Sequence, residues 1–391
     1  MGKLRERIDV IYRRKIDNFF AKIICLFTGR RPLKNVILLE SHNDFDCNGG
    51  AFYSYLISHQ YNEKYKIVWL LKNPVPRGLP KNVKGYPLNR PSFMKSYYRC
   101  VAKIIAADDY MTQKKRKDQK EYYLTHGGIT FKNVKGVLVV QDHVDYVLSS
   151  SSNYDPYICE NYSIPYPSDK LLHLGFPSND LLFQEGPDEM KKISSHNFSK
   201  VFLWLPTFRE SGKLKRRDSS KEQPLGIPLI EDLKKYQELN DYLKEKDAFL
   251  IIKIHPVQDL TLLRISDMSN IKVITADQAR ALGLDLYRLM RSADACISDY
   301  SSAAYQYLLL DRPLAFVLSD LADYTRGFSV ENYEDFLPGE HICTFDDMIA
   351  FMEHVVAGKD NWREKRRELR DFLYEYQDGN ACRRLAEFMG L

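Results

Sequence analysis

The stretch 294–318, DACISDYSSAAYQYLLLDRPLAFVL, leaves little freedom in the fold around it. Ala295–Ile297 reads as a short buried strand. A polar turn, Ser298-Asp299-Tyr300-Ser301-Ser302, leads into an apolar helix from about Ala303 to Leu310. Asp311-Arg312-Pro313 breaks that helix, because proline has no N–H to give and disfavours helical backbone just before it. Leu314–Val317 then reads as a second strand. Strand, helix and strand in so short a stretch make a βαβ unit, the building block of open parallel sheets. The turn sets two adjacent hydroxyls at a helix N-terminus, where unpaired N–H groups and the helix dipole favour a phosphate without a metal. On these residues alone, Ser301 or Ser302 is equally well a plain N-cap.

The same alternation runs through the chain. Strands are expected at 35–40, 66–71, 101–106, 121–125, 136–140 and 145–149. After a polar linker around 180–198 they recur at 201–205, 249–253, 272–275, 295–298, 314–317 and 341–343. Helices are expected at 229–246, 282–292, 302–310, 345–356 and 361–376. At 391 residues there is chain enough for two domains with separate cores. The expected division is 1–34, a basic amphipathic segment; 35–185, an N-terminal α/β domain; and 186–391, a C-terminal α/β domain. Ligands of such sheets sit beyond the C-terminal ends of the strands.

Residues 1–34 carry ten Lys or Arg against three acids. Ile8, Tyr12, Ile16, Phe19, Ile23 and Phe27 recur at helical spacing, and Arg7, Arg13, Arg14, Lys15 and Lys22 flank them. Such a helix either lies in the headgroup region of an anionic membrane or packs on the protein's own body. No apolar run is long enough to span a bilayer, and no small-residue cleavage site follows Phe19–Phe27. The expected location is therefore the cytoplasmic side of a membrane. Seven cysteines without CxxC spacing argue against a structural zinc site. The net charge of +5 is mild for this length and by itself says little; no nucleic-acid partner is expected.

Candidate chemistry gathers at predicted strand ends. His126 ends the run YYLT and precedes Gly127-Gly128, where backbone can approach a ligand closely. A capping or packing imidazole is the alternative. His255 follows FLIIK and precedes Pro256. Arg209, Lys253 and Arg326 are candidate phosphate clamps, since guanidinium forks suit phosphate oxygens; ordinary ion pairs are the alternative. Lys132 and the basic run Lys114–Lys120 suit an anionic acceptor, or else a solvated loop. The pair Asp44/Asp46 is spaced like a metal-binding DxD, but it lies in the first loop of the first domain, so no metal is expected there. No P-loop, no GxGxxG after a strand and no GxSxG is present, which argues against kinase, dehydrogenase and serine-hydrolase readings.

SDYSS with its apolar helix resembles the hallmark stretch of the CDP-glycerol glycerophosphotransferase family, the teichoic-acid primases and polymerases. THGGITFK (125–132), GFPSND (175–180), LPTFRE (205–210), KIHP (253–256), DYTRGF (323–328) and PGE (338–340) follow the family's order. The resemblance covers about 125 to 345. It implies a GT-B-like α/β fold: two facing Rossmann-like domains with a cleft between them, the first on the acceptor side and the second holding the nucleotide donor. It implies transfer of glycerol phosphate or another polyol phosphate from CDP-glycerol or CDP-ribitol to a lipid-linked anionic acceptor, with CMP released. His126 and His255 would be catalytic. Ser301, Ser302, Asp299, Arg209, Lys253 and Arg326 would bind the donor, and Lys132, Asn48 and Gly127 the acceptor. Neither a cofactor nor a metal is implied, and homo-oligomerisation is left open. Thr125 and one extra residue before Lys132 depart from the family's usual WHGTPLK, which bears on acceptor identity; Ser178 stands where the family usually has Arg. The alternatives are a GT-B glycosyltransferase using a nucleotide sugar and a catalytically silent membrane-bound assembly factor.

Overall fold

Two parallel sheets carry the apolar cores. The computed structural model describes residues 2–109, 112–126, 128–136, 139–211 and 215–391, with side chains of the first helix from Lys15 onward. The chain divides into two compact units. The first is Met1–Gly128, Leu138–Leu181 and Asp378–Leu391; the second is Ile129–Val137 and Leu182–Gln377.

The first unit holds β1 (Lys34–Glu40), β2 (Lys66–Leu71), β3 (Val83–Pro87), β4 (Ala102–Ala107), β5 (Lys120–Tyr123), β6 (Tyr146–Ser149) and β7 (Leu171–His173). They form a seven-stranded sheet in the order β3-β2-β1-β4-β5-β6-β7, every pair parallel. The second unit holds β8 (Lys200–Trp204), a small antiparallel hairpin of β9 (Glu210–Ser211) and β10 (Arg216–Arg217), then β11 (Ala248–Lys253), β12 (Ile271–Ile274), β13 (Ala295–Ser298), β14 (Leu314–Val317) and β15 (Glu340–Ile342). Its six-stranded parallel sheet runs β12-β11-β8-β13-β14-β15. Inner strands such as β1 and β11 are built on continuous apolar runs, Val36–Leu39 and Ala248–Ile252, because parallel sheets are covered on both faces.

The 294–318 unit folds as expected, with a shorter helix. Ser302–Tyr307 is α-helical, Leu308–Leu310 tightens to a 3₁₀ turn, and Asp311 ends it at φ 49°. The helix expected over 282–292 is shorter, Leu286–Ser292, and a further, unexpected helix, Ala276–Ala281, precedes it across Gly283 with φ 59°. The strand expected at 136–140 falls partly on Val137 and Leu138, outside the described residues.

The division departs from the expected break near 185 in two places. Ile129–Val137 folds with the second unit: Lys132 bridges Phe328, Asn133 N donates to the Gly327 carbonyl, and Phe131 packs on Tyr305 and Phe336. Asp378–Leu391 folds with the first. There the Asp180 carboxylate accepts the N–H groups of Ala381 and Cys382, both at 2.8 Å, and Phe388 lies edge-on to Tyr122 and Tyr146.

The first helix, α1 (Gly2–Thr28), packs on the first unit, but with a different stripe from the one its spacing marks. Asp17, Ala21 and Ile24 are buried against the helix Phe93–Val101. Asp17 pairs with Lys95 at 2.7 Å, both nearly inaccessible, and it also accepts the Ser92 N–H. The basic run 114–120 secures the other end: Arg116 donates to the carbonyls of Thr28 and Arg31, and Lys115 to Asn18. Carbonyls at a helix C-terminus favour such a cation. Phe19, Leu26 and Phe27 remain 60%, 82% and 72% exposed. No helix among the described residues is long and apolar enough to cross a membrane.

Candidate active site

In the second unit, β11, β8, β13 and β14 are neighbours, and their C-terminal ends deliver Lys253 and His255, Thr207 and Arg209, Asp299 and Ser301, and Asp320 to one edge. Arg209 and Asp299 are buried and bound to each other. Arg209 gives Nε and Nη2 to Asp320 at 2.5 and 3.0 Å, and Nη1 to Asp299 and the Thr207 carbonyl, both at 2.9 Å. Asp299 also accepts the Thr207 N–H at 2.8 Å and its hydroxyl. Tyr300 lies under the guanidinium and donates to Asp320 at 3.0 Å. Such a network braces loops. Arg209 and Asp299, expected to touch the donor, fix the strand ends that carry the other groups.

The remaining cations are under-compensated. Burial lowers the pKa of Lys132 to about 8, with Asp299 opposing and Arg326 adding to the shift. Burial likewise lowers that of Lys253, and burial and then Arg216 lower that of Arg326. A cation with a good protein partner would be stabilised in its charged form, as Arg209 is, where Asp299 and Asp320 outweigh burial. Lys132 reaches Thr207 Oγ1 at 3.4 Å, and Arg326 Nε donates to the Asn133 carbonyl at 2.9 Å. His255 stands among them. Burial, then Lys132 and Lys253, lower its pKa to about 3, so the ring is neutral. The Val257 N–H donates to Nδ1 at 3.3 Å, which leaves the proton on Nε2 as a donor. Ser301 Oγ caps its helix by accepting from Ala303 N at 3.3 Å, and Ser302 is the first helical residue. Both stay partly exposed. A cavity of about 290 Å³ beside the network is lined by Arg209, Arg217, Lys221, Gln258 and Arg264 among others.

In the first unit, β2, β1, β4 and β5 deliver Lys72, His42, Asp108 with Asp109, and His126 to one edge. The His126 ring is solvent-exposed on one side and lies tilted against His42, with centroids 4.3 Å apart. Desolvation by the protein around it, then the His42 ring, lower its pKa to about 4, while Asp46 and Asp109 oppose. Asp109 takes Lys72 Nζ at 2.5 Å and lies 3.5 Å from His42 Nδ1; although burial raises its pKa, these partners bring it down to about 2. Thr125, just before His126, is buried with φ 59°, a backbone state that β-branched residues avoid. Asn48 holds it there. Its Nδ2 donates to the carbonyls of Leu124 and Thr125 at 2.9 Å, and its Oδ1 accepts Ser178 N and Oγ at 3.0 and 2.7 Å. All four hydrogen-bonding positions of that amide are occupied, so Asn48 positions the His126 turn and has none left for an acceptor. Ser178 is therefore half of this brace. The turn ahead of α2 (Cys47–Ser58) needs Gly50, whose Cβ would stand 2.2 Å from the Phe45 carbonyl oxygen.

The DxD carboxylates are occupied locally. Asp44 accepts the N–H groups of Lys72 and Asn73, and Asp46 those of Asn43. Gly127 lies outside the described residues. His42, Lys72 and Asp109 escape the sequence reading, although SHND directly after the strand NVILLE carries the signal that exposed His126 and His255.

The family model for CDP-glycerol:poly(glycerophosphate) glycerophosphotransferases matches residues 24–390. The chain belongs to this family. A teichoic acid glycerol-phosphate primase of Bacillus subtilis is 23% identical over 95% of this chain and 95% of its own length. A teichoic acid ribitol-phosphate polymerase of Staphylococcus aureus is 27% identical over 90% of this chain, which spans only 61% of that relative. A solved structure of the wall teichoic acid polymerase TagF covers 99% of this chain and 96% of its own, with TM-score 0.74 and 20% identity. That likeness establishes the GT-B-like α/β fold for this family member.

Proposed function

We propose that the chain transfers glycerol phosphate, or another polyol phosphate, from a CDP-activated donor to a hydroxyl of a lipid-linked acceptor in teichoic-acid-type polymer synthesis. The observation that carries this reading is the set of half-buried, under-compensated cations Lys132, Lys253 and Arg326 around the neutral His255. Together they ask for a multiply charged anion, and a nucleotide diphosphate is one. The second unit holds the donor. His255 gives Nε2–H to a phosphate oxygen, and the Ser301 and Ser302 hydroxyls complete the cradle. Lys132, expected on the acceptor side, becomes a donor ligand because it folds with this unit.

The first unit supplies the base. His126 takes the proton of the acceptor hydroxyl, the resulting oxygen attacks the phosphorus next to the polyol, and the bond to the CMP phosphate breaks. Asp46 and Asp109 stabilise the imidazolium that forms. The protein's share is positioning and charge, as in phosphoryl transfer generally. No cofactor or metal is required by these steps. The exposed stripe of α1, with Phe19 and Phe27, would hold the enzyme on the cytoplasmic face of the membrane, where a lipid-linked acceptor is concentrated.

The test is incubation with CDP-glycerol or CDP-ribitol and a lipid-linked acceptor, reading CMP and product length together. CMP release that depends on acceptor is the expected result. Turnover of a UDP- or GDP-sugar with no CMP from either donor would replace this reading by a glycosyltransferase.

A further inference from the structure

We propose that the first unit carries a site for a thiophilic divalent cation of the Zn²⁺ class, made by Cys47, Asp108 and His126. The three residues are far apart in sequence, yet each follows one of three adjacent strands: Cys47 opens α2 after β1, Asp108 follows β4 and His126 follows β5. One ligand atom from each, a thiol sulfur, a carboxylate oxygen and an imidazole nitrogen, lies within 4.8 Å of the other two. Metal–ligand bonds of about 2.0–2.3 Å place tetrahedral ligands roughly 3.3–3.8 Å apart, so only a small closure is needed.

The support around these ligands suits the role. Asp108 is fully buried, and its two oxygens are aimed by the N–H groups of His42 at 2.9 Å and Gly49 at 2.8 Å. Each oxygen keeps a second lone pair, so these bonds orient the carboxylate without using it up. Cys47 sits at φ 53° in the turn that Gly50 makes tight. His126 is set by Thr125 and hence by the Asn48 brace. A sulfur, nitrogen and oxygen set selects Zn²⁺ or Co²⁺ over Mg²⁺ and Ca²⁺, which prefer oxygen alone. Three protein ligands leave a fourth position for water. Binding displaces the thiol proton, and any proton held by the buried Asp108 carboxyl, to solvent. With one His126 nitrogen on the metal the other carries the ring proton, so the imidazole cannot take the acceptor proton and an occupied site is an inhibited enzyme. That consequence rests on the proposed role of His126 as base; binding itself does not.

The full-length protein would be titrated anaerobically with Co²⁺, reading thiolate-to-metal charge-transfer absorption, then back-titrated with Zn²⁺. CMP release would be followed in parallel with Zn²⁺ or Mg²⁺. The expected result is a saturable one-equivalent band that Zn²⁺ abolishes, and transfer inhibited by Zn²⁺ but not by Mg²⁺. In Cys47→Ser the band should vanish, metal-free turnover should persist, and the Zn²⁺ needed for inhibition should rise by about tenfold or more. A folded wild type without the band overturns the site, as does a band that survives Cys47→Ser. A band with no inhibition keeps the site and removes His126 from the role of base.

Discussion

His126 is neutral above a pH of about 4, the state a base must have, and Lys132 is charged below about 8, the state an anion ligand must have. The donor kcat/KM should therefore rise as pH climbs through about 4 and fall as it passes about 8. His126→Ala should lower turnover by roughly 10²–10⁴-fold and abolish the acid limb, with the melting temperature unchanged. A surviving limb would assign it to another group. Asn48→Ala tests the brace. It strands the carbonyls of Leu124 and Thr125 and the Ser178 donors, each a buried group whose lost partner costs about 1–3 kcal/mol. A lowered denaturation midpoint and a lowered kcat are expected, with donor KM unaltered. Altered donor KM with normal kcat would refute the positioning role.

Among the elements, α1 shows how a sequence stripe and a packing stripe diverge. Removing the whole helix would uncover Tyr98 and Val101 and leave Lys95 without Asp17, so truncation confounds membrane binding with folding. Phe19→Ser with Phe27→Ser is cleaner, because both side chains are mostly exposed. Binding to anionic vesicles and activity on vesicle-borne acceptor should fall, while thermal stability and activity on a short soluble acceptor hold. Equal loss on both acceptors would make these residues structural. The stripe Ile16, Phe19, Ile23, Phe27 was legible because helical spacing is local; that Asp17 faces inward was not, because its reason is Lys95, far along the chain. The same contrast holds at the site. His126, His255 and the 294–318 unit could be read from strand-end patterns, whereas the duties of Arg209 and Asn48 depend on partners that sequence spacing does not reveal.

For the whole molecule, each unit is assembled from separated segments. A fragment ending at 185 lacks the helix Ala381–Phe388, so Asp180 loses the N–H groups of Ala381 and Cys382, and Tyr122 and Tyr146 lose Phe388. That fragment should aggregate or melt early, and covalent addition of 378–391 through a flexible linker should raise its melting temperature. An unchanged melting temperature would mean that the helix only decorates the unit. The same feature sets an order of events on the ribosome. The strands that present His126 are made early, but the segment that completes their unit follows only after all of Leu182–Gln377 has been synthesised. At bacterial-like elongation rates of about 5–20 residues per second, that delay is roughly 10–40 s. During it the nascent first unit exposes Tyr122 and Tyr146 and is a client for chaperones. The half that carries the proposed base thus matures only after the half that would hold the donor has been made.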